Sequence, residues 1–259
     1  MWHNLVSYAS RLKTTMKRDR LPALSALAST AASKLEADIY LAGLWRNNLV
    51  RDLLWRRESQ TLRNLDIRCP SWTWASYGGA ITFQLLNTDS KSSSHSSTQR
   101  SDGEGWETSK SGKVSLLDTV ETNFIPMAEV VNARTYYAGS NRFGEVAIGT
   151  IHLKTFYVPY ASIDKLFGES LICKRIVVDV LERDADRFTT FDDTSFAILG
   201  RCSADLPMSE TWHGLLLRDM RDRTYVRVGV SAVRLLEGLD DNYLLWQDLA
   251  RLRQTRMIV

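Results

Sequence analysis

With 33 basic against 30 acidic residues in 259, a net charge of +3, and 44% hydrophobic and 24% charged content, the chain has the composition of an ordinary globular protein. So slight a positive balance leaves no electrostatic footprint for nucleic acid. No apolar run approaches the roughly 20 residues of a membrane span, and the N-terminal MWHNLVSYASRLKTTMKRDR lacks the apolar core of a signal peptide.

From Trp2 to Lys13, the residues Trp2, Leu5, Val6, Ala9 and Leu12 recur at helical spacing and predict one amphipathic helix. After the basic cluster Lys17, Arg18 and Arg20, Asp19 is placed to cap a second helix with Pro22 in its first turn, where a missing N–H is tolerated. Its expected buried stripe is Leu21, Leu24, Leu27, Ala28, Ala31 and Leu35. From Ile39 to Arg57, Leu41, Trp45, Leu49 and Leu53 follow at i+4 steps, with Leu44, Val50, Leu54 and Trp55 on other sides, predicting a third helix buried over much of its circumference. Its arginines Arg46, Arg51, Arg56 and Arg57 read as solvated or paired with Asp52 and Glu58. A polar connection from Glu58 to Cys69 leads to PSWTWASYGG, Pro70 to Gly79. An extended reading puts Trp72 and Trp74 into one core with Ser71, Thr73 and Ala75 facing away, and a turn at Gly78 and Gly79.

Residues 86–113, rich in Ser, Thr, Gly, Lys and Asp, cannot bury enough apolar surface to offset their ordering entropy and read as a flexible insertion. Beyond it, alternation predicts strands over Ala128–Tyr137, Glu145–Val158, Ile172–Val180, Phe196–Arg201, Trp212–Met220 and Tyr225–Val233, the last two joined as a hairpin through Arg221, Asp222 and Arg223. In the last strand Val226, Val228, Val230 and Ala232 alternate with Tyr225, Arg227, Gly229 and Ser231. Helical spacing returns over Asp240–Arg253 through Tyr243, Leu244, Trp246, Leu249 and Leu252, and Arg256–Val259 is placed to close the sheet. The expected fold is α+β: a helical part over 1–85 ending in the PSWTWAS strand, the insertion at 86–113, and a β-rich part over 114–259 in one domain with the first. N-terminal helices pack on a mainly antiparallel sandwich or open barrel, with a C-terminal helix.

For chemistry, His3, His95, His152 and His213 show no partner at a recognised ligand spacing. The least implausible dispersed site combines His152, His213 and Cys173. Ser76 in ASYGG lacks the first glycine of a nucleophile elbow and reads as a strand-end hydrogen bonder. FGEVAIG, Phe143 to Gly149, precedes a strand where a phosphate loop needs a helix. Asp184, Asp186, Asp192 and Asp193 do not follow the calcium-loop pattern and read as a solvated turn. Cys69, Cys173 and Cys202 lie far apart without CxxC spacing, which fits a reducing compartment and a cytoplasmic location. No catalytic, cofactor-binding or metal-binding set is assigned, and no cofactor is expected.

Three blocks, DRLPALSALA (Asp19–Ala28), YLAGLWRNNLVRDLLW (Tyr40–Trp55) and PSWTWASYGG (Pro70–Gly79), resemble in order and spacing the region that follows the effector domain in fungal heterokaryon incompatibility (HET domain) proteins. The resemblance extends more loosely over Val130–Val158 and Trp212–Val233. The HET domain itself, with its aromatic-rich LSYxWG-type motif, related to TIR-like folds and credited with triggering cell death, has no counterpart here. Trp2–Thr15 resembles the short helix that joins it to the rest. The resemblance implies a regulatory or protein-recognition module in self/non-self recognition, acting on a protein partner such as a HET effector. It carries over no catalysis.

Overall fold

The computed structural model describes residues 1–12, 14, 16–35, 37–58, 69–86, 123–179, 191, 193–203, 209–220, 222–236 and 243–259. The insertion from residue 87 on, most of the connection 58–69, His95, Val180, Asp184, Asp186, Asp192 and Arg221 lie outside that set. In chain order the helices are α1 (Trp2–Arg11), α2 (Ser25–Ala32), α3 (Leu49–Asp52), α4 (Ile163–Phe167) and α5 (Tyr243–Arg251). The strands are β1 (Tyr40–Leu41), β2 (Leu44–Trp45), β3 (Arg56–Arg57), β4 (Ile81–Thr82), β5 (Ile125–Pro126), β6 (Glu129–Tyr137), β7 (Val146–Pro159), β8 (Leu171–Val178), β9 (Thr194–Ser203), β10 (Ser209–Asp219), β11 (Thr224–Leu236) and β12 (Arg253–Ile258).

The α+β class holds, and the sheet is mainly antiparallel. Strands β9, β10, β11, β12 and β7 pair in succession, and β7 returns to β9 through Tyr157↔Ala197, Val158↔Phe196 and Pro159↔Ser195, so the ring of pairings closes. The terminal strand is the closing piece. It runs antiparallel to β7 over Arg253–Ile258 and parallel to β11 at Thr224↔Met257 and Tyr225↔Ile258. β8 pairs with β11, while β5 and β6 lie at the ends of the strand order. The expected β10–β11 hairpin forms, with a register shift at Leu216/Leu217.

Alternation along the strands sorts the core into two clusters. Ile151, Leu153, Ala197, Leu199, Leu215 and Leu217 join the N-terminal Leu41, Leu53, Trp55, Trp72 and Trp74 in one. Phe156, Val158, Phe196, Ile198, Trp212 and Leu216 meet Ile163, Phe167, Leu245 and Leu249 of α4 and α5 in the other. Both faces of β11 are therefore covered, and Arg227, on the side the alternation reads as polar, is fully buried.

The N-terminal part departs furthest from expectation. Residues Ile39–Arg57 form no single helix: Ala42 (φ +48°) and Gly43 (φ +95°) make the two-residue turn of a β-hairpin with Tyr40 opposite Trp45 and Leu41 opposite Leu44. Gly43 is required twice over, since a Cβ there would lie 2.4 Å from Trp74 Nε1. A short 3₁₀ turn and α3 follow, and Trp55 leads into β3. The second helix is also shorter. Asp19 ends a separate 3₁₀ turn and does not cap it, and Leu27 and Leu35 are exposed while Leu21, Leu24 and Ala28 are buried. In α5 the buried residues are Leu245 and Leu249, with Tyr243 and Leu244 turned to solvent.

PSWTWAS is not a strand. Thr73 caps a 3₁₀ turn over Trp74–Ser76, its Oγ1 accepting from the Ala75 amide at 3.2 Å. Trp72 and Trp74 are both buried as expected, but so are Ser71, Thr73 and Ser76. Each hydroxyl has a carbonyl to meet: Ser71 donates to Val259 O, Thr73 to Ala42 O at 2.6 Å and Ser76 to Thr73 O at 2.7 Å. Pro70 and Trp72 pack on Gly149 of β7, where an added Cβ would fall 2.5 Å and 2.8 Å from them. That close approach is the role of the second glycine in FGEVAIG. At the end of the stretch Gly79 takes φ +89°, and Arg20 donates to its carbonyl at 3.0 Å and to Tyr77 O.

Candidate functional site: an aromatic cleft beside helix α1

The β1–β2 hairpin stands against the outer strand β6, which among the described residues pairs with β7 alone. Between them opens a cleft of about 560 Å³, walled by consecutive residues on both sides, Ala37–Leu41 and Ala133–Tyr137, and closed by Trp45, Arg142 and Phe143. Volumes of this size are typical of small-molecule sites. Its inner wall is aromatic. Tyr40 meets Trp45 and Phe143 edge-on with both centroid separations at 5.2 Å. These three residues, with Ala28, form a small core of their own.

The hydrogen bonding of this wall is incomplete. The Trp45 indole N–H, a donor only, is buried with no partner among the described residues. Tyr40 Oη makes no well-formed hydrogen bond either, and burial, reinforced by Tyr137, raises its pKa against a smaller pull from the Gly43 backbone. By contrast the Tyr137 hydroxyl is engaged, accepting from Thr135 Oγ1 at 2.9 Å and donating to Tyr40 O at 3.1 Å, which ties β6 to β1 across the cleft. At the rim, Arg142 lies 4.8 Å from the centre of the Phe143 ring, and Arg134 projects from β6 into solvent. Neither arginine forms an ion pair with a described residue. Asp38, a carboxylate at the same rim, already accepts from the Ile39 and Asn47 amides at 2.8 and 3.0 Å.

Helix α1 is wired to this wall. Trp2 packs edge-on against Tyr40 at 6.1 Å and Trp45 at 5.6 Å, and its indole donates to Gly43 O at 3.0 Å. The same carbonyl accepts from Trp74 at 3.2 Å, so the helix, the hairpin turn and the tryptophan motif meet at one atom. The next residue holds a second clasp. His3 Nε2 lies 2.7 Å from the buried Asp52 carboxylate, which also accepts from Asn48 Nδ2 at 2.5 Å, and the imidazole stacks on Phe83 at 4.3 Å. The absence of a partner at ligand spacing in the sequence is compatible with this contact. The partner is 49 positions away, a separation that no motif spacing reveals.

The other residues considered for chemistry are not brought together. His152 is on β7, His213 on β10 and Cys173 on β8. Cys173 sits opposite Arg234 and His213 opposite Ala232 of the intervening β11, which separates them by two strand spacings, on the order of 10 Å. β12 and β11 intervene between His152 and Cys173, and β9, through the ring closure, lies between β7 and the strand of His213. Burial pushes His213 down to about 4, which keeps its ring neutral. Ser76 is fully buried and donates to a local carbonyl. The basic residues of 39–57 also differ from expectation: Arg57 donates to Asp179 O, Arg56 to Gln84 O at 3.2 Å, and Glu58 pairs instead with Arg11 at 2.6 Å. Among the described residues no cluster of three His, Cys, Asp or Glu could hold a metal ion, and no helix is long and apolar enough to cross a membrane. No family model, curated protein or solved structure matches the chain.

Proposed function

We propose that this chain is a recognition module that works by binding rather than by turnover, with the aromatic cleft as its sensing site and α1 as its output. The observation that carries the reading is the position of Trp2. An output helix whose first aromatic residue packs on the two residues lining the cleft registers any shift of either. The resemblance to the region after the effector domain of heterokaryon incompatibility proteins supports the same assignment, because α1 matches the helix that joins effector and module there. In that setting the module holds or releases a protein partner of the HET effector class, in the same chain or in trans, in self/non-self recognition leading to programmed cell death. A cytoplasmic setting is part of the proposal, supported by the cysteine usage, and the near balance of charge supports a partner other than nucleic acid.

Amide hydrogen exchange tests the wiring directly. Truncating Trp45 to Leu leaves the sequence of α1 intact but removes its aromatic support. Protection of the amides in Trp2–Arg11 is expected to fall about tenfold, the equivalent of one aromatic contact of about 1.4 kcal/mol. Unchanged exchange in α1, with faster exchange confined to the β1–β2 hairpin, would separate cleft from helix and remove the basis of the reading.

A further inference from the structure

The ligand class follows from what the cleft lacks, an inference that rests on the recognition reading above. The two cations that line it, Arg134 and Arg142, form no ion pair with a described residue. The Trp45 N–H is buried and unpartnered, and a buried donor without an acceptor is costly. Arg134 and Arg142 carry guanidinium groups at the rim, while one oxygen of the single carboxylate there, Asp38, accepts two backbone amides. The apolar surface beside these groups is made of rings, Tyr40, Trp45 and Phe143, which favour a planar partner through stacked or edge contacts. The Tyr137–Tyr40 hydrogen bond spans the two walls, leaving room for a compact ligand rather than a through-running peptide strand.

We propose that the cleft binds a compact anion built on a planar ring, an aromatic carboxylate or a ring-bearing phosphate, with the ring against Tyr40, Trp45 and Phe143 and the anionic group on Arg134 and Arg142. Binding adds charge-assisted hydrogen bonds for the guanidinium groups.

Calorimetric titration of the full chain with 2-naphthoate and with adenosine monophosphate, each beside its neutral counterpart 2-naphthol or adenosine, tests this. At least one anion should bind about tenfold or more tightly than its neutral counterpart, the discrimination expected of a charged hydrogen bond. Preference for naphthoate assigns the carboxylate form, and preference for the nucleotide assigns the phosphate form. The Arg134→Gln/Arg142→Gln variant, altered only at exposed positions, should lose about tenfold in affinity. Failure of both anions to bind at about millimolar concentration, equal binding of neutral and anionic probes, or wild-type affinity in the double arginine variant would overturn the assignment. The exchange experiment on α1 uses no ligand, so loss of the ligand class and loss of the recognition reading give different results.

Discussion

Replacing Asp179 by alanine should lower the stability of the protein by about 3–5 kcal/mol, the usual cost of leaving a buried charge without its partner. The charge in question is Arg227. Its Nε donates to Asp179 Oδ2 at 2.7 Å, and both side chains are fully buried. The guanidinium also donates to Leu53 O at 2.6 Å and to Trp55 O, and lies 3.5 Å from the centre of the Trp55 ring. Around it, the Arg227 amide donates to Ser71 Oγ at 3.0 Å and its carbonyl accepts from Tyr77 Oη at 3.1 Å. The side chain of Arg227 thus holds the Leu53–Trp55 segment, and its backbone holds Ser71 and Tyr77 on either side of the two tryptophans. Denaturant titration should show the lowered midpoint with an unchanged slope. Exchanging both partners for apolar residues, Arg227→Met with Asp179→Leu, should recover part of the loss, because the Arg227 charge leaves with its carboxylate while Arg57, the second buried arginine beside Asp179, stays. A loss below about 1 kcal/mol for Asp179→Ala would mean that water reaches the arginine.

Truncation of Trp72 to alanine should be comparably severe, about 3–5 kcal/mol. The indole is fully buried, it faces Gly149 of β7 at a distance that leaves no room for a Cβ, and its N–H points to Gly149 O at 3.4 Å. Its own carbonyl accepts from the Trp55 indole at 2.9 Å. Little can collapse into the space left behind, because one wall is sheet backbone and the other is a second tryptophan held by a hydrogen bond. Thermal or urea unfolding of Trp72→Ala measures the cost. A change under about 1 kcal/mol would place the indole outside the core.

Burial was more legible in the sequence than secondary structure. The i+4 series Leu41, Trp45, Leu49 and Leu53 is wholly buried, yet its members belong to a hairpin, a short helix and the turn after it. A helical period and a run of short elements on a common core can share the same apolar spacing over so few residues. Gly43 is the one residue of that series' span that favours the positive φ of a tight turn, and a lone glycine does not break a helical period. In Pro70–Ser76 the i, i+2 pattern located both tryptophans in the core, but the hydroxyls of Thr73 and Ser76 bond locally and turn the chain into 3₁₀ geometry. The strands β7, β10 and β11 were plain from alternation because each is long enough to repeat its pattern several times.

The cleft was not legible, for a physical reason. Its walls come from residues 37–45 and 133–143, joined by tertiary contacts, and no motif links Tyr40 or Trp45 to Arg134, Arg142 or Phe143. The same holds for Arg227 and Asp179, 48 positions apart. Alternation put Arg227 on a polar face, and only the N-terminal segments folded over that face turn it into an interior one. Trp2 did stand on the predicted inner stripe of α1, but the hairpin it meets was read as helix, which hid the contact.

A double-mutant cycle between Trp2 and Trp45 tests most directly whether the cleft wall and helix α1 act as one unit. Trp2→Ala, Trp45→Ala and the pair together are compared by urea unfolding. Edge-on packing at 5.6 Å predicts a coupling of about 0.5–1.5 kcal/mol, with the double variant less destabilised than the sum of the singles. Additivity within about 0.3 kcal/mol would contradict the account, since the helix would then carry no information about the cleft.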